Sequence, residues 1–262
     1  MAINVNQVYS TVLTILNKEQ RGYITPDEFN KISTQSQLEI FEQYFEDLNQ
    51  LLRVPQTDNE YANRQKQLEQ KISIFETYGN STYVAVPDPA NPPPNARTYT
   101  LPSDMHRLGT ISYKDKALQE MQRNEYLLAY RSPLTRPTEQ YPAFYASGTG
   151  SPDGAFTQAA PTRIKVFPDT ITENLPTYYV RRPKSPVWAY TINADTGGYV
   201  YQGAADSSAN PTTGSVQFEL DSSEQVSIIL NILMYSGIII RDPSVVQAAS
   251  ALAQQDEQNE KS

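Results

Sequence analysis

Between residues 1 and 78, apolar side chains recur at helical spacing. Val5, Val8, Val12 and Ile15 form one stripe, widened by Tyr9 and Leu16. Gly22 stands where it can cap the end of that helix. Thr25-Pro26-Asp27-Glu28 then reads as a strong helix start. Thr25 can accept from the free amides of the first turn, Pro26 fits the first helical position, and Glu28 can reach back to close a capping box. The second helix should run from residue 26 to about residue 53, roughly 40 Å at 1.5 Å per residue. Its apolar face is Phe41, Tyr44, Phe45, Leu48, Leu51 and Leu52, and Pro55 interrupts it. A third helix is expected over 59–77, carrying Tyr61, Leu68, Ile72 and Phe75. Stripes of this width fit a bundle closed within one chain or one that also packs against neighbours.

From residue 79 to 220 the pattern changes. Sixteen of the 19 prolines lie between Pro87 and Pro211, which excludes long helices there. Short β-type runs appear at 82–86, 98–101, 109–113, 143–146, 163–167 and 177–182, separated by turn residues. Lys114-Asp115 has the look of a hairpin tip. One helix is expected over 122–130, ended by Ser132-Pro133. Residues 85–95 contain five prolines and read as an extended linker. Residues 148–160 and 195–214 read as small-residue loops, mobile or ordered by partners. Helix returns after 220. Ser222 with Gln225 resembles a capping box, and Val226, Ile229, Ile232 and Leu233, continued by Tyr235 and Ser236, make an apolar helix closed by Gly237. Asp242-Pro243 opens a final helix through Val245, Val246, Ala249 and Leu252, followed by a polar tail. The expected fold is α+β: a helical bundle over 1–80, an antiparallel β-rich region over 81–220, and carboxy-terminal helices over 221–262 that fold back.

Charge adds a second constraint. The net charge is −8, with 11 acids and 7 bases in residues 1–80, 12 of each in 81–220, and 6 acids against 2 bases in 221–262. Sequence-independent DNA binding needs clustered Lys and Arg, and no such cluster exists. An acidic surface instead suits a conduit through which DNA passes without sticking. Apolar runs are short, Ile238-Ile239-Ile240 among them, so no membrane span is expected, and residues 1–15 lack the pattern of a secretion signal.

Catalytic chemistry is sparse. There is no Cys and a single His, His106, in the Pro102–Arg107 stretch read as a structural turn before a strand. A zinc site, a thiol nucleophile and a nucleotide-binding loop are all without their residues. Asp104 and Glu219 are the acids nearest to strand ends, where a carboxylate pair for glycoside hydrolysis would be sought. The expectation is no enzyme, no cofactor and no metal. Single Trp188 and 18 Tyr fit a sugar platform, a protein interface or a core. Along the strand at 177–182, Tyr178, Val180 and Arg182 point one way, Tyr179 and Arg181 the other. Candidate contact residues between subunits are therefore Phe41, Phe45 and Leu48 on the helical stripe and Tyr178, Tyr179, Arg181 and Arg182 on the strand.

The order of segments resembles phage neck adaptors and tail-tubular gatekeeper proteins. Leu101-Pro102-Ser103-Asp104-Met105-His106-Arg107-Leu108 is similar to their Leu-Pro-x-Asp segment. Tyr141-Pro142-Ala143-Phe144-Tyr145, then Ile164-Lys165-Val166-Phe167-Pro168, look like their paired strands, and Tyr178-Tyr179-Val180-Arg181-Arg182-Pro183 like the strand that follows. The run around Gly22-Tyr23-Ile24-Thr25-Pro26-Asp27-Glu28-Phe29-Asn30 resembles structural proteins of crAss-like and related Bacteroidetes podoviruses. The resemblance implies a homo-oligomeric ring, twelve-fold in such assemblies, stacked beneath the portal protein and joined to further neck and tail proteins. It implies a virion component made in the host cytoplasm, with double-stranded DNA passing transiently through its lumen and no catalytic residues. The long helical zone and the Pro-rich insertions depart from the compact adaptor pattern. The alternative from another class is a virion-attached carbohydrate- or receptor-binding module.

Overall fold

The computed structural model describes residues 3–18, 23–53, 59–84, 96–147, 163–203, 214–240, 250–251 and 254–255. The chain is α+β, with helices at the amino-terminal side, a large mostly antiparallel sheet, and a helix after it. It divides into two compact units, one of residues 1–74 and 183–262, the other of residues 75–182. The divisions therefore fall at Ile74/Phe75 and Arg182/Pro183, not near residues 80 and 220 as composition suggested. Gly22, Pro55, the linker at 85–95 and the loop at 148–160 lie outside the described residues, as does nearly all of the expected final helix.

The helical unit holds α1 (Val5–Lys18), α2 (Pro26–Arg53), α3 (Asn59–Ser73) and, after the second unit, α5 (Gln225–Ile240). The intervening α4 (Arg123–Arg131) belongs to the other unit. The start of α2 is the expected capping box: the Thr25 amide donates to Glu28 Oε2 at 2.9 Å, and the Glu28 amide donates to Thr25 Oγ1 at 3.4 Å. The Thr25 amide, and then the Thr25 hydroxyl, donate to the Glu28 carboxylate and hold it below its ordinary value. In α1 the buried stripe is Val5, Val8, Tyr9, Val12 and Leu16, whereas Ile15 is exposed. Leu16 and not Ile15 continues the 3.6-residue period from Val5, Val8, Val12. α5 packs back against α2 and α1, as expected of the carboxy-terminal helix. Its start differs from the expected one: Asp221, not Ser222, is the cap, accepting from the Ser223 amide at 2.9 Å, with one 3₁₀ turn (Ser222–Glu224) before the α-helix. That bond lowers the Asp221 carboxyl below its ordinary value. Ile232, Leu233 and Ser236 are buried as expected, but in the first turns Ile228 is buried in place of Val226 and Ile229, and Val226 is exposed. The helix runs through buried Gly237 to Ile240 and is not closed there, because packing along a helix outweighs the weak helix propensity of one glycine.

Helix α3 ends at Ser73, four residues before the expected end, because β1 (Glu76–Tyr83) begins there. Thr77, Tyr78, Thr82 and Tyr83 favour a pleated surface, and β1 finds a long partner. The second unit continues with β2 (Arg97–Thr100), β3 (Met105–Tyr113), β4 (Lys116–Ala117), β5 (Gln119–Glu120), α4 (Arg123–Arg131), β6 (Ala143–Ser147), β7 (Arg163–Phe167) and β8 (Leu175–Arg181). Strand order is β4-β3-β8-β1-β2-β7-β6-β5. The two outermost strands, β4 and β5, are one stretch of chain separated only by Leu118. The Leu118 amide donates to Ile111 O at 2.8 Å on β3, while the Gln119 and Met121 amides donate to Pro142 O at 3.0 Å and Phe144 O at 2.9 Å. The sheet thus closes on itself into a small barrel, which removes free edges.

The barrel interior is filled by Tyr99, Leu101, Ile111, Tyr113, Leu118, Phe144, Ile164, Val166, Ile171 and Leu175. Tyr99 buries its ring there and satisfies its hydroxyl on Ile171 O at 2.9 Å. Burial pushes that phenol up to about 12. On the outer face, Tyr145 and Phe167 alternate with the inward Phe144 and Val166 and are covered by Tyr126 of α4, whose ring stacks on Phe167 at 3.7 Å. Lys114 and Asp115 both take positive φ, 47° and 64°, making the two-residue turn expected at that hairpin tip. Gly109 sits at an irregularity in the β3–β8 pairing, where a Cβ would stand 2.8 Å from the Tyr178 carbonyl oxygen. His106 lies within β3, not in the turn before it; the turn is Ser103-Asp104.

Candidate interaction site

In the helical unit, three amide side chains tie remote segments of chain onto the helices. Asn30 on α2 treats Trp188 as a strand would. Its Oδ1 accepts from the Trp188 amide at 2.7 Å and its Nδ2 donates to the Trp188 carbonyl at 3.3 Å. Two turns further along, Gln37 donates to Lys184 O at 2.8 Å and accepts from the Glu219 amide at 3.1 Å. Glu219 closes the loop by accepting from the Lys184 amide at 2.8 Å. Asn6 of α1 accepts from the Trp188 indole N–H at 3.0 Å. Ser33, Ser36 and Gln37 are buried on α2, polar residues that an apolar-stripe reading passes over. No local signal marks Gln37 as an anchor, because its partners lie 147 and 182 residues away in sequence.

Beyond this seam lies a two-stranded hairpin, β9 (Tyr190–Ile192) with β10 (Tyr199–Tyr201). The expected loop from 195 to 214 therefore contains a strand: Tyr199, Val200 and Tyr201 alternate and pair with Ile192, Thr191 and Tyr190. Trp188 is buried beneath this hairpin, 4.4 Å from the Tyr9 ring and 5.7–5.8 Å from those of Tyr201 and Tyr190. The sole tryptophan is thus a core residue and offers no open face to a sugar ring. Burial, followed by a hydrogen bond with Tyr23, raises the Tyr9 phenol well above its ordinary value.

The expected contact residues separate into two groups. Phe41, Phe45 and Tyr179 are buried within their own units. Phe41 and Phe45 pack edge to face at 5.1 Å, and the Tyr179 hydroxyl donates to Asp104 Oδ1 at 2.9 Å. These three complete the core of one chain and do not present a face to a second. Leu48 is half-buried and Arg181 is half-buried over the Phe75 ring at 5.9 Å. Tyr178 and Arg182 are exposed. Tyr178 faces its cross-strand partner Tyr78, with ring centroids 5.3 Å apart, so two exposed phenols lie side by side on the barrel wall. Asp104 and Glu219 fall in different units, each engaged by its own donor, Tyr179 and the Lys184 amide. Among the described residues, no group of three or more His, Asp or Glu is placed to hold a metal, and no helix is long and apolar enough to cross a membrane.

Each unit also exposes one further distinctive surface. On the barrel unit, α4 buries Tyr126 and turns Leu127 and Leu128 outward; the next turns expose Leu134 at 97% and Tyr141 at 78%. The same stretch exposes Arg123, Arg131 and Arg136, the last lying over the Tyr130 ring at 4.4 Å. On the helical unit, α2 carries Glu39, Glu42, Glu46 and Asp47 along one shallow groove with Gln35, Leu38, Gln43 and Gln50, and no basic residue between Lys31 and Arg53. The Tyr235 hydroxyl donates to Glu39, and that bond together with burial pushes its phenol up to about 12. No protein-family model matches the chain, and no curated protein matches it.

Proposed function

We propose that the chain is a non-enzymatic structural subunit of a phage neck ring, joining portal to tail and forming part of the DNA conduit. A head-to-tail ring needs two different, complementary surfaces on each subunit. The observation that carries the reading is the outward apolar set on α4 and its following turns, Leu127, Leu128, Leu134 and Tyr141. Single exposed leucines are ordinary on a monomer, but four large apolar side chains within 15 residues favour a covered surface. The four-segment resemblance to neck adaptors points the same way, and its Leu101–Leu108 segment leads into β3 of the barrel. A net charge of −8 suits a channel wall that must not retain DNA.

Native mass spectrometry and electron microscopy of the purified chain, alone and with the portal protein of the same particle, test the reading. The expected result is a closed ring in one of the two conditions. A chain that stays monomeric in both, and binds glycan instead, overturns it in favour of a carbohydrate- or receptor-binding module.

A further inference from the structure

Independently of the neck-ring reading, we propose that Tyr78 and Tyr178 form an oxidative cross-linking site, at which a one-electron oxidant of the peroxide-driven haem class joins the two phenols into a biphenol bridging β1 and β8. The two residues face each other in register across the antiparallel β1–β8 ladder, with ring centroids 5.3 Å apart. Directly opposed residues of such a ladder hold their side chains together whenever the sheet is formed. Both rings stand more than half exposed, Tyr78 at 56% and Tyr178 at 53%. Their flanks are open as well. β2 meets β1 only at Thr82 and Tyr83, so it places no residue beside Tyr78. On the other side, the β3 residue against the Tyr178 carbonyl is Gly109, which has no side chain to cover the ring. Each of the other tyrosine ring pairs among the described residues contains a buried or half-buried ring, Tyr99, Tyr126 or Tyr190. In the reaction each phenol gives up one electron and one proton, leaving a phenoxyl radical whose spin is shared with the ring carbons beside the oxygen. Two such carbons couple, and the rings recover aromaticity by moving their displaced protons to the oxygens. The net change is loss of two hydrogen atoms, taken up by one hydrogen peroxide as two waters. The bridge turns a ladder of hydrogen bonds into a covalent closure across about 100 residues of chain.

The test treats the full-length chain, at high dilution, with hydrogen peroxide and a catalytic amount of a haem peroxidase. Free tyrosine in a parallel tube confirms that the oxidant couples phenols. Products are read by the blue emission of the biphenol, by intact mass and by peptide mapping. The expected product is a monomeric chain lighter by two hydrogens, with Tyr78 and Tyr178 in one linked peptide pair. Tyr78→Phe and Tyr178→Phe, each checked for folding by circular dichroism, should each lower the yield of intrachain bridge by roughly tenfold or more, since the opposed pair is then lost. Y190F/Y199F should leave that yield unchanged. The bridged chain should melt roughly 5–15 °C higher by calorimetry, because the bridge restricts the unfolded chain. The proposal is overturned if the bridge maps to other tyrosines, if it forms chiefly between chains, or if either single variant keeps the wild-type yield. It is overturned equally if free tyrosine couples while the chain gives no bridge. A bridged chain that melts no higher overturns its role as a closure.

Discussion

Replacing Asn30 by alanine tests whether the amide seam, and not the apolar stripe alone, holds the chain segment after residue 183 onto α2. The side chain makes two bonds to one residue, accepting from the Trp188 amide at 2.7 Å and donating to its carbonyl at 3.3 Å. Trp188 is buried, so water cannot readily replace either bond. A buried backbone group left unpaired costs about 1–3 kcal/mol. Two such groups, one of them in the longer bond, give an expected loss of roughly 2–4 kcal/mol. For a protein of this size that lowers the melting midpoint by roughly 5–15 °C. Trp188 is the only tryptophan, so its emission reports this seam directly. Thermal and urea melts followed by that emission are the assay. Asn30→Asp keeps the acceptor for the Trp188 amide and loses the donor, so its loss should fall between wild type and alanine. A midpoint for Asn30→Ala within about 1 °C of wild type would refute the claim that these bonds anchor the segment.

Three other outcomes are expected. Lys71 Nζ lies 2.5 Å from buried Glu224 Oε1, so Lys71→Met should cost about 3 kcal/mol by stranding the carboxylate, and adding Glu224→Leu should restore most of it in urea melts. Leu118 bridges both ends of the barrel sheet with its side chain inside, so Leu118→Ala should cost about 2–4 kcal/mol and lower amide-exchange protection in both β3 and β6. The phenols of Tyr99 and Tyr179 are pushed from 10.0 up to about 12, Tyr99 by burial and Tyr179 by burial and then its bond to Asp104. A folded pKa above the unfolded one leaves stability intact below pH 10 and removes it as pH climbs through 12, by roughly 2–3 kcal/mol for fully buried Tyr99. Melts between pH 9 and about pH 12 should show that decline, and a flat profile would contradict the burial of these hydroxyls.

What residues 1–262 determined by themselves is the set of features written in adjacent positions. The limits of α2, its Thr25–Glu28 box, the Lys114-Asp115 turn, strand β7 and the helix at α4 were all readable, because capping, turn chemistry and periodicity act within four or five residues. The α+β class followed from the same local signals. Tertiary structure alone decided which strands pair. β1 took residues from the end of the expected third helix because β8, about 100 residues away, offered it a six-residue ladder. It also decided that Lys116–Glu120 closes a barrel, that Asn30 and Gln37 serve as backbone partners, and that the stretch after Arg182 joins the helices and not the sheet. At the start of α5 it chose Ile228 over Val226 and Ile229 for burial, because Ile228, Ile229 and Leu230 are consecutive apolar residues and only the neighbouring helices could select among them. Long-range contacts reward a residue for a partner that its own surroundings do not encode, and that is where local pattern stops and packing takes over.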